Sequence, residues 1–334
     1  MMRSSIYCIL LFSVMLIDMG ITVGNRSDTG DWNSSLLGEK MVGVNETNSC
    51  SHCFNSSFDQ ENSSLWLKSN WRNYDSTYLN TWLSDPNHII VQNRTVLLNL
   101  DDQPCVSSLY QCQNQSFASG EFCTRCVQYL YGTVSAKILA GKGNGIVTGL
   151  YLFGGTPGKQ DEIDVEIFGK DPAKTGSRWE MQTNYFVDGS MGNCWEHYGV
   201  PEPCHVAIIP LDFDPTVSYH IYKILWIGDR ENCSEIKWYV DDKLRRDVWL
   251  DENKYVQSRV FDENGNIIET GNEYKGNLPT QRSKICSSLW AAGNWSEAGN
   301  FSYSSEKPIY AKIDWISYSQ LNDSSMCGYL VGDS

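Results

Sequence analysis

Glu162, Asp164 and Glu166 stand at every second position of QDEIDVEIFG, with Ile163, Val165 and Ile167 in the gaps. Acids are depleted in strands, and like charges on neighbouring positions repel, so a row of three needs a reason. A helix explains the spacing poorly. It would stack Glu162 on Glu166 as a like-charge i,i+4 pair against a β-branched background. A strand explains it well, because alternate side chains point to opposite faces. One face is then apolar and buried, and the other carries three carboxyl groups. Such a row is a solvated edge, a cation site or a device for moving protons and attacking an electrophile.

The segments that must position this strand are also β-like. HIIVQNRTVLLNLDD, YGTVSAKILAGKGNGIVTGLYLFGG, SYHIYKILWI, EIKWYVDDKLRRDVWL and PIYAKIDWISYS are β-branched or aromatic with broken alternation. GKGNG, GGTPGK and DENGN supply the turns. No long amphipathic helix or internal repeat interrupts them. The pattern predicts an all-β chain folded as an antiparallel β-sandwich or jelly roll, one sheet presenting a concave polar face. Two segments read as loops inserted between strands: VDGSMGNCWEHYGVPEPCHV, in which Cys194 and Cys204 can pair, and the stretch from Asp251 to Asn277.

The chain's first residues give it an address. MMRSSIYCILLFSVMLIDMG has Arg3 followed by an apolar run from Ile6 to Ile17, too short for a membrane span. It reads as a signal peptide over 1–24 with cleavage after Gly24. Residues 25–61 are Asn-, Ser- and Gly-rich and read as a glycosylated, loosely ordered leader. A catalytic domain over 62–322 and a short tail over 323–334 complete the division. N-x-S/T sequons occur at Asn25, Asn33, Asn45, Asn55, Asn62, Asn93, Asn114, Asn232, Asn294, Asn300 and Asn322. Of the 12 cysteines, Cys8 lies in the signal and eleven remain. Export favours disulfides among them, with one thiol left over. The C-x-x-C pairs Cys50/Cys53 and Cys123/Cys126 have zinc-like spacing but no neighbouring His ligands. A formal charge of −14 argues against nucleic acid and anionic membranes as partners. A neutral polymer tolerates an acidic protein, and 12 Trp with 18 Tyr can line a cleft where sugar rings stack.

DEIDVEIFG is similar to the E-[ILV]-D-x-E strand of glycoside hydrolase family 16. The flanks agree: GIVTGLYLFGGTPGKQDEIDVEIFGKD followed by QTNYFVDG resembles the core of the lichenase-type 1,3-1,4-β-glucanases of that family. YHIYKILW, IKWYVDDKLRR and the closing KPIYAKIDWISYS continue the likeness, and LNTWLSDPNHIIVQNRTVLLNL resembles their N-terminal sugar-binding strand. The likeness spans roughly residues 62 to 320. CSSLWAAGNWSEAGN resembles instead the plant xyloglucan endotransglucosylases. TRCVQYLYGTVSAKI resembles fungal transglycosylases that join chitin to glucan.

The resemblance implies a fold of the concanavalin A-like kind, with Glu162 as nucleophile, Asp164 as its assistant and Glu166 as general acid/base. The chemistry is consistent with that division. Retention needs two carboxyls about 5–5.5 Å apart. Positions i and i+4 of a strand lie roughly 13 Å apart at Cα, so two long Glu side chains must lean together while the shorter Asp orients one of them. For sugar binding the resemblance points to Asn80 and to Arg125, one place from the family's substrate-binding Arg. Asn184 and Tyr185 follow the acid strand and are expected in the same cleft, with Trp290 and Trp295 as stacking platforms. Gln160 stands where Trp or His often precedes the motif. Asp314 matches a residue that holds a structural calcium in some lichenases, although calcium wants six to eight oxygens. The chemistry itself requires no cofactor.

These readings describe a secreted, glycosylated, monomeric enzyme with no membrane insertion, acting on β-glucan or a related cell-wall polysaccharide. It would cleave internal β-1,3/1,4-glucosidic bonds through a covalent glycosyl-enzyme intermediate. A transglycosylase would pass the same intermediate to a sugar hydroxyl. An inactive carbohydrate-binding module is the reading from another class, and the intact acid triad argues against it.

Overall fold

The computed structural model describes residues 53–58, 64–71, 77–101, 115–156, 158–175, 178–192, 205–228, 234–271, 274–293, 295–301 and 308–321. The segments expected as signal peptide and tail, most of the expected leader, and Cys194 with Cys204 lie outside them. In chain order the first strands are β1 (Cys53–Ser56), β2 (Trp66–Lys68), β3 (Asn80–Trp82), β4 (Ile89–Gln92), β5 (Thr95–Leu100), β6 (Phe117–Ser119) and β7 (Glu121–Thr124). Then follow β8 (Gly132–Leu139), β9 (Ile146–Thr156), β10 (Lys159–Phe168), a single helical turn α1 (Pro172–Thr175), β11 (Trp179–Phe186), β12 (Ala207–Leu211) and β13 (His220–Ile227). The last are β14 (Glu235–Val240), β15 (Lys243–Leu250), β16 (Tyr255–Phe261), β17 (Ile267–Thr270), β18 (Tyr274–Lys275), β19 (Ser283–Ala291) and β20 (Ile309–Ser319).

Two large antiparallel sheets form the expected jelly-roll sandwich. One runs β17-β16-β15-β14-β13-β8-β20-β5-β4, with β1 on β20 and β18 on β16, and the other runs β12-β11-β10-β9-β19-β7-β2. The acid strand β10 is therefore central, flanked by β9 and β11. Its apolar alternates Ile163, Val165 and Ile167 are at most 1% exposed, and they pack with Ile138, Ile224 and Trp238 of the facing sheet. Each such burial stabilises the sandwich by about 1.5–3 kcal/mol. A hydrogen bond crosses the layers as well: Trp238 Nε1 donates to the backbone oxygen of Asp164 at 3.0 Å.

Short polar turns set the strand registers. Asn93 and Arg94, between β4 and β5, have φ of 50° and 64°, and Asp241 and Asp242, between β14 and β15, have 49° and 63°. Paired left-handed residues make the turn whose twist matches two antiparallel strands, and Asn and Asp tolerate that conformation best. The segment from Asp251 to Asn277, expected as an inserted loop, instead forms β16, β17 and β18 on the edge of the larger sheet. The end of the expected leader also differs. Cys53–Ser56 pairs with β20 from Ser319 to Ile316, and Phe58 is 5% exposed in the core, so this segment is part of the sandwich.

Cys123 is bonded to Cys286, its direct cross-strand partner, over a sequence separation of 163 residues. The Cys123/Cys126 spacing is therefore not a zinc pair, and Cys126 is itself disulfide-bonded. Closing so long a loop restricts the unfolded chain, an effect of about 2–5 kcal/mol for native disulfides. Replacing both Cys123 and Cys286 by Ser should lower the melting temperature by several degrees in scanning calorimetry. An unchanged transition would show that this cross-link contributes no stability.

Candidate active site

Residues directly opposite in an antiparallel pair share a face, so the register around β10 defines the site. Glu162 pairs with Phe186 and Phe153, Asp164 with Asn184 and Tyr151, and Glu166 with Gln182 and Gly149. The rows continue over β19 and β7: Tyr151 opposite Cys286 and then Cys123, Gly149 opposite Ser288 and then Glu121. The three acids occupy the face of the seven-stranded sheet that points away from the other sheet. They are nonetheless only 6–9% exposed. Gly149 leaves room beside Glu166, since a Cβ there would stand 2.9 Å from Ser288 Oγ.

Burial governs the titration of the three. It pushes Glu162 up to about 8, with the charges of Glu166 and Glu121 acting the same way and a hydrogen bond with Asp164 opposing. Glu166 is likewise pushed up to about 8 by burial, against the hydrogen bond from Gln182. That bond, Gln182 Nε2 to Glu166 Oε2, is 2.7 Å and buried. Asp164 is held well above the usual carboxylate range by burial first and by the charges of Glu162 and Glu166 next. Three carboxyls this close in a dry site cannot all be ionised, so protons are shared among them. Such a group can supply one anion for attack and one proton for a leaving group.

A fourth carboxyl escaped the sequence reading. Glu121 is 4% exposed on the acid face, three strands from β10 in the row of Glu166. Tyr151 donates its hydroxyl to Glu121 Oε2 at 2.6 Å and Trp71 donates Nε1 to Oε1 at 3.1 Å. Burial raises its pKa too. Trp71 stacks on Trp82 with ring centroids 4.7 Å apart and keeps 40% of its surface exposed, which makes it the open aromatic of this region. A lone Glu in GEFCT carries no signal of its face until the register of β7 on β19 is known.

Several expected sugar contacts lie elsewhere. Asn184 shares the acid face beside Asp164, but the alternation sends Tyr185 to the opposite side, opposite Ile163 in the core. There Tyr185 stacks on His205 at 4.0 Å and hydrogen-bonds the Tyr274 hydroxyl. Trp290 and Trp295 are 2% and 1% exposed and stack on each other at 5.4 Å within a cluster with Tyr78, Trp82 and Phe168. They wall the Glu166 end of the face and are not open platforms. Asn80 is fully buried, and its Oδ1 accepts from the backbone of Ala291 at 2.8 Å while Nδ2 donates to Thr81 O at 3.3 Å. It holds backbone, not sugar. Arg125 is exposed just beyond β7, whose acid-face positions are Glu121 and the disulfide-bonded Cys123. Gln160 is 6% exposed at the head of the acid strand.

Asp314 sits at the bulge of β20 and pairs with Lys137 Nζ at 2.6 Å. Lys137 thus supplies the counter-charge that calcium would supply. No group of three or more His, Cys, Asp or Glu able to hold a metal gathers among the described residues. A single carboxylate already paired with Lys137 does not fit the six to eight oxygens that calcium takes.

A β-sandwich with clustered, proton-sharing carboxyls on one open sheet face defines a carbohydrate-active enzyme of the paired-carboxylate class. The model of glycosyl hydrolases family 16 matches residues 76–317, and the chain belongs to that family. It is 28% identical over 259 residues to a beta-glucanase of Paenibacillus polymyxa, covering 77% of this chain and 83% of the relative. It is 32% identical over 190 residues to xyloglucan endotransglucosylase/hydrolase protein A of Phaseolus angularis, covering 56% and 50%. Among solved structures, the beta-glucanase of Bacillus licheniformis superposes with a TM-score of 0.56 at 26% identity, covering 80% of this chain and 98% of that one. The protein is therefore a glycoside hydrolase or a related transglycosylase.

The raised carboxyls make stability depend on pH. Glu121, Glu162, Asp164 and Glu166 all keep their protons to higher pH when folded than when unfolded. The folded state then binds more protons between the two values, so stability falls as pH rises. Their contribution is complete below the ordinary carboxylate range, about 4, and is lost as pH climbs through about 8 for Glu162 and Glu166. Glu162→Gln should leave the melting temperature at pH 5 nearly unchanged and raise it by a few degrees at pH 9. A wild-type melting temperature that rises between pH 5 and pH 9 would contradict this linkage.

Proposed function

We propose that the protein is a secreted endo-β-glucanase that hydrolyses internal β-1,3/1,4-glucosidic bonds with retention of configuration. The observation that carries this reading is the shared face and shared protons of Glu162, Asp164 and Glu166. Asp164 keeps its proton and its hydrogen bond favours the Glu162 anion, so of the two glutamates that share protons Glu162 gives up the first one and attacks the anomeric carbon. Glu166, kept protonated by burial, gives its proton to the glycosidic oxygen as that bond breaks. The products of the first step are a free chain end and a glycosyl ester of Glu162. Glu166, now anionic, takes a proton from water as the water oxygen displaces Glu162, and the enzyme returns to its starting state. The beta-glucanase relatives support a glucan as substrate. The Cys123–Cys286 bond and the exposed sequons Asn55, Asn93 and Asn300 support export and glycosylation.

A second reading, transfer of the glycosyl ester to a sugar hydroxyl, is favoured by the identity to the xyloglucan enzyme over 190 residues. The two separate in one assay: β-glucans, xyloglucan and chitin are offered with and without a labelled oligosaccharide acceptor. Hydrolysis predicts reducing ends without labelled polymer, and transfer predicts labelled polymer.

Two variants test the roles. Glu162→Gln should abolish turnover while polysaccharide binding survives, because the covalent step is lost without the sugar contacts. Glu166→Ala should cost about 10²–10⁴-fold on natural glucan but spare attack on an activated aryl glycoside, whose leaving group needs no proton. Azide should then restore turnover and yield a β-glycosyl azide. An α-azide would mean that the roles of Glu162 and Glu166 are exchanged. Wild-type activity should trace a bell in pH. Glu162 and Glu166 share protons, so the acid limb marks loss of the pair's first proton and the alkaline limb loss of its second, both displaced above the ordinary carboxylate range by burial.

A further inference from the structure

Asp161 immediately precedes the acid row, and the alternation turns it away from the acid face. It is 2% exposed. A carboxylate so deeply buried is costly unless its oxygens are satisfied. Four N–H groups meet them. Thr280 N and Gln281 N donate to Oδ2 at 2.6 and 3.0 Å, and Asp188 N and Gln281 Nε2 donate to Oδ1 at 3.1 and 3.2 Å. All four donors are neutral amides, three of them backbone, so each bond fixes a direction as well as a distance.

These donors come from two loops that are remote in sequence. One follows β11 and the other leads into β19. Both are tied to the same strand end a second time: Gly189 N donates to Gln160 O at 2.7 Å, and Gln281 Nε2 donates to Lys159 O at 2.7 Å. The head of β10, from 159 to 161, is therefore stapled on both sides at the residue covalently next to Glu162. Glu162 needs such help. Gln182 aims Glu166 directly, whereas Glu162 Oε2 is buried and meets no donor among the described residues. Asp164, on the same strand, is its one hydrogen-bonding side chain among the described residues, so the aim of both depends on where the backbone of β10 is held.

We propose that Asp161 is a positioning residue for the attacking carboxylate, fixing the start of the acid strand so that Glu162 meets the anomeric carbon in line. The proposal rests on the reading of Glu162 as nucleophile. A shift of about 1 Å at a reacting atom costs on the order of 10²-fold in rate. Loss of the anchor should therefore fall on the first covalent step and not on glycan binding.

The test is trapping kinetics with an activated 2-deoxy-2-fluoro glycoside, which forms the glycosyl ester but breaks it down slowly. Asp161→Ala and Asp161→Asn should lower the trapping rate, by about 10²-fold for Ala, while the final labelled fraction of folded protein stays complete. The loss should be equal for activated aryl glycosides and natural glucan, because attack and not protonation is slowed, and KM should stay within a factor of two or so. Gln281→Ala removes one donor and the tie to Lys159 while leaving the buried carboxylate in place, so it covers the case in which the Asp161 variants fail to fold. It should slow trapping about tenfold, with a smaller fall in melting temperature than Asp161→Ala. Label on Glu162 at the wild-type rate in these variants, with only the melting temperature lowered, overturns the proposal alone. Label on another residue in the wild-type enzyme overturns the nucleophile reading and the proposal with it.

Discussion

Three carboxyl groups share one strand and are each less than a tenth exposed, and that crowding sets the terms for what surrounds them. Taking an ionised carboxyl out of water costs several kcal/mol even after relaxation, so the strand must be held by something else. The opposite face of β10 supplies it through Ile163, Val165 and Ile167, buried to 1% or less against the facing sheet. Trp238 adds a bond to the backbone of Asp164 itself. Period-two alternation makes this division possible, because a helix could not put a full apolar stripe behind every acid. The strand is a lever: its core side holds a destabilised polar side in place.

The partners of the acids are neutral for a physical reason. Gln182 reaches Glu166, Tyr151 reaches Glu121, and the amides around Asp161 are uncharged as well. An Arg or Lys bonded to Glu166 would stabilise its anion and pull its proton off near the ordinary carboxylate range. An amide orients the group while leaving burial in control. The buried cation Arg246 lies behind the sheet and is turned away from the acids. It donates to the Thr183 oxygens and to His205 O at 2.9 Å and lies 4.9 Å from the Trp238 ring.

The acid row was legible in the sequence because alternation is local: no distant residue is needed to see that Glu162, Asp164 and Glu166 share a face. The same rule separates Asn184 from Tyr185, which a motif match had put together in the cleft. Adjacent residues of a strand cannot both face one ligand, and the register with Asp164 selects Asn184. What stayed hidden depends on contacts across the sheet. Glu121 gains its meaning from Ser288 and Gly149, and Cys123 from Cys286, all far away in sequence. Trp290 and Trp295 look like Trp71 in a string of letters. Only packing distinguishes two buried wall residues from one exposed ring. Asn80 is a similar case, since its amide is consumed by the backbone of β19.

The likeness of one acid strand to both a beta-glucanase and a xyloglucan endotransglucosylase follows from the chemistry of the second step. Once the glycosyl ester exists, the base that receives the proton is the same whether water or a sugar hydroxyl attacks. Water needs no binding energy because it is everywhere. A sugar acceptor wins only if its contacts hold it near the ester long enough to raise its effective concentration above that of water. The acids that make the ester therefore contain no information about its fate. That information must lie in groups flanking them that can reach an acceptor, and the buried wall of Trp290, Trp295 and Phe168 offers no such surface, whereas Trp71 beside Glu121 is exposed. Evolution can trade hydrolysis for transfer by rebuilding those flanks while the strand, its apolar back and its shared protons stay as they are.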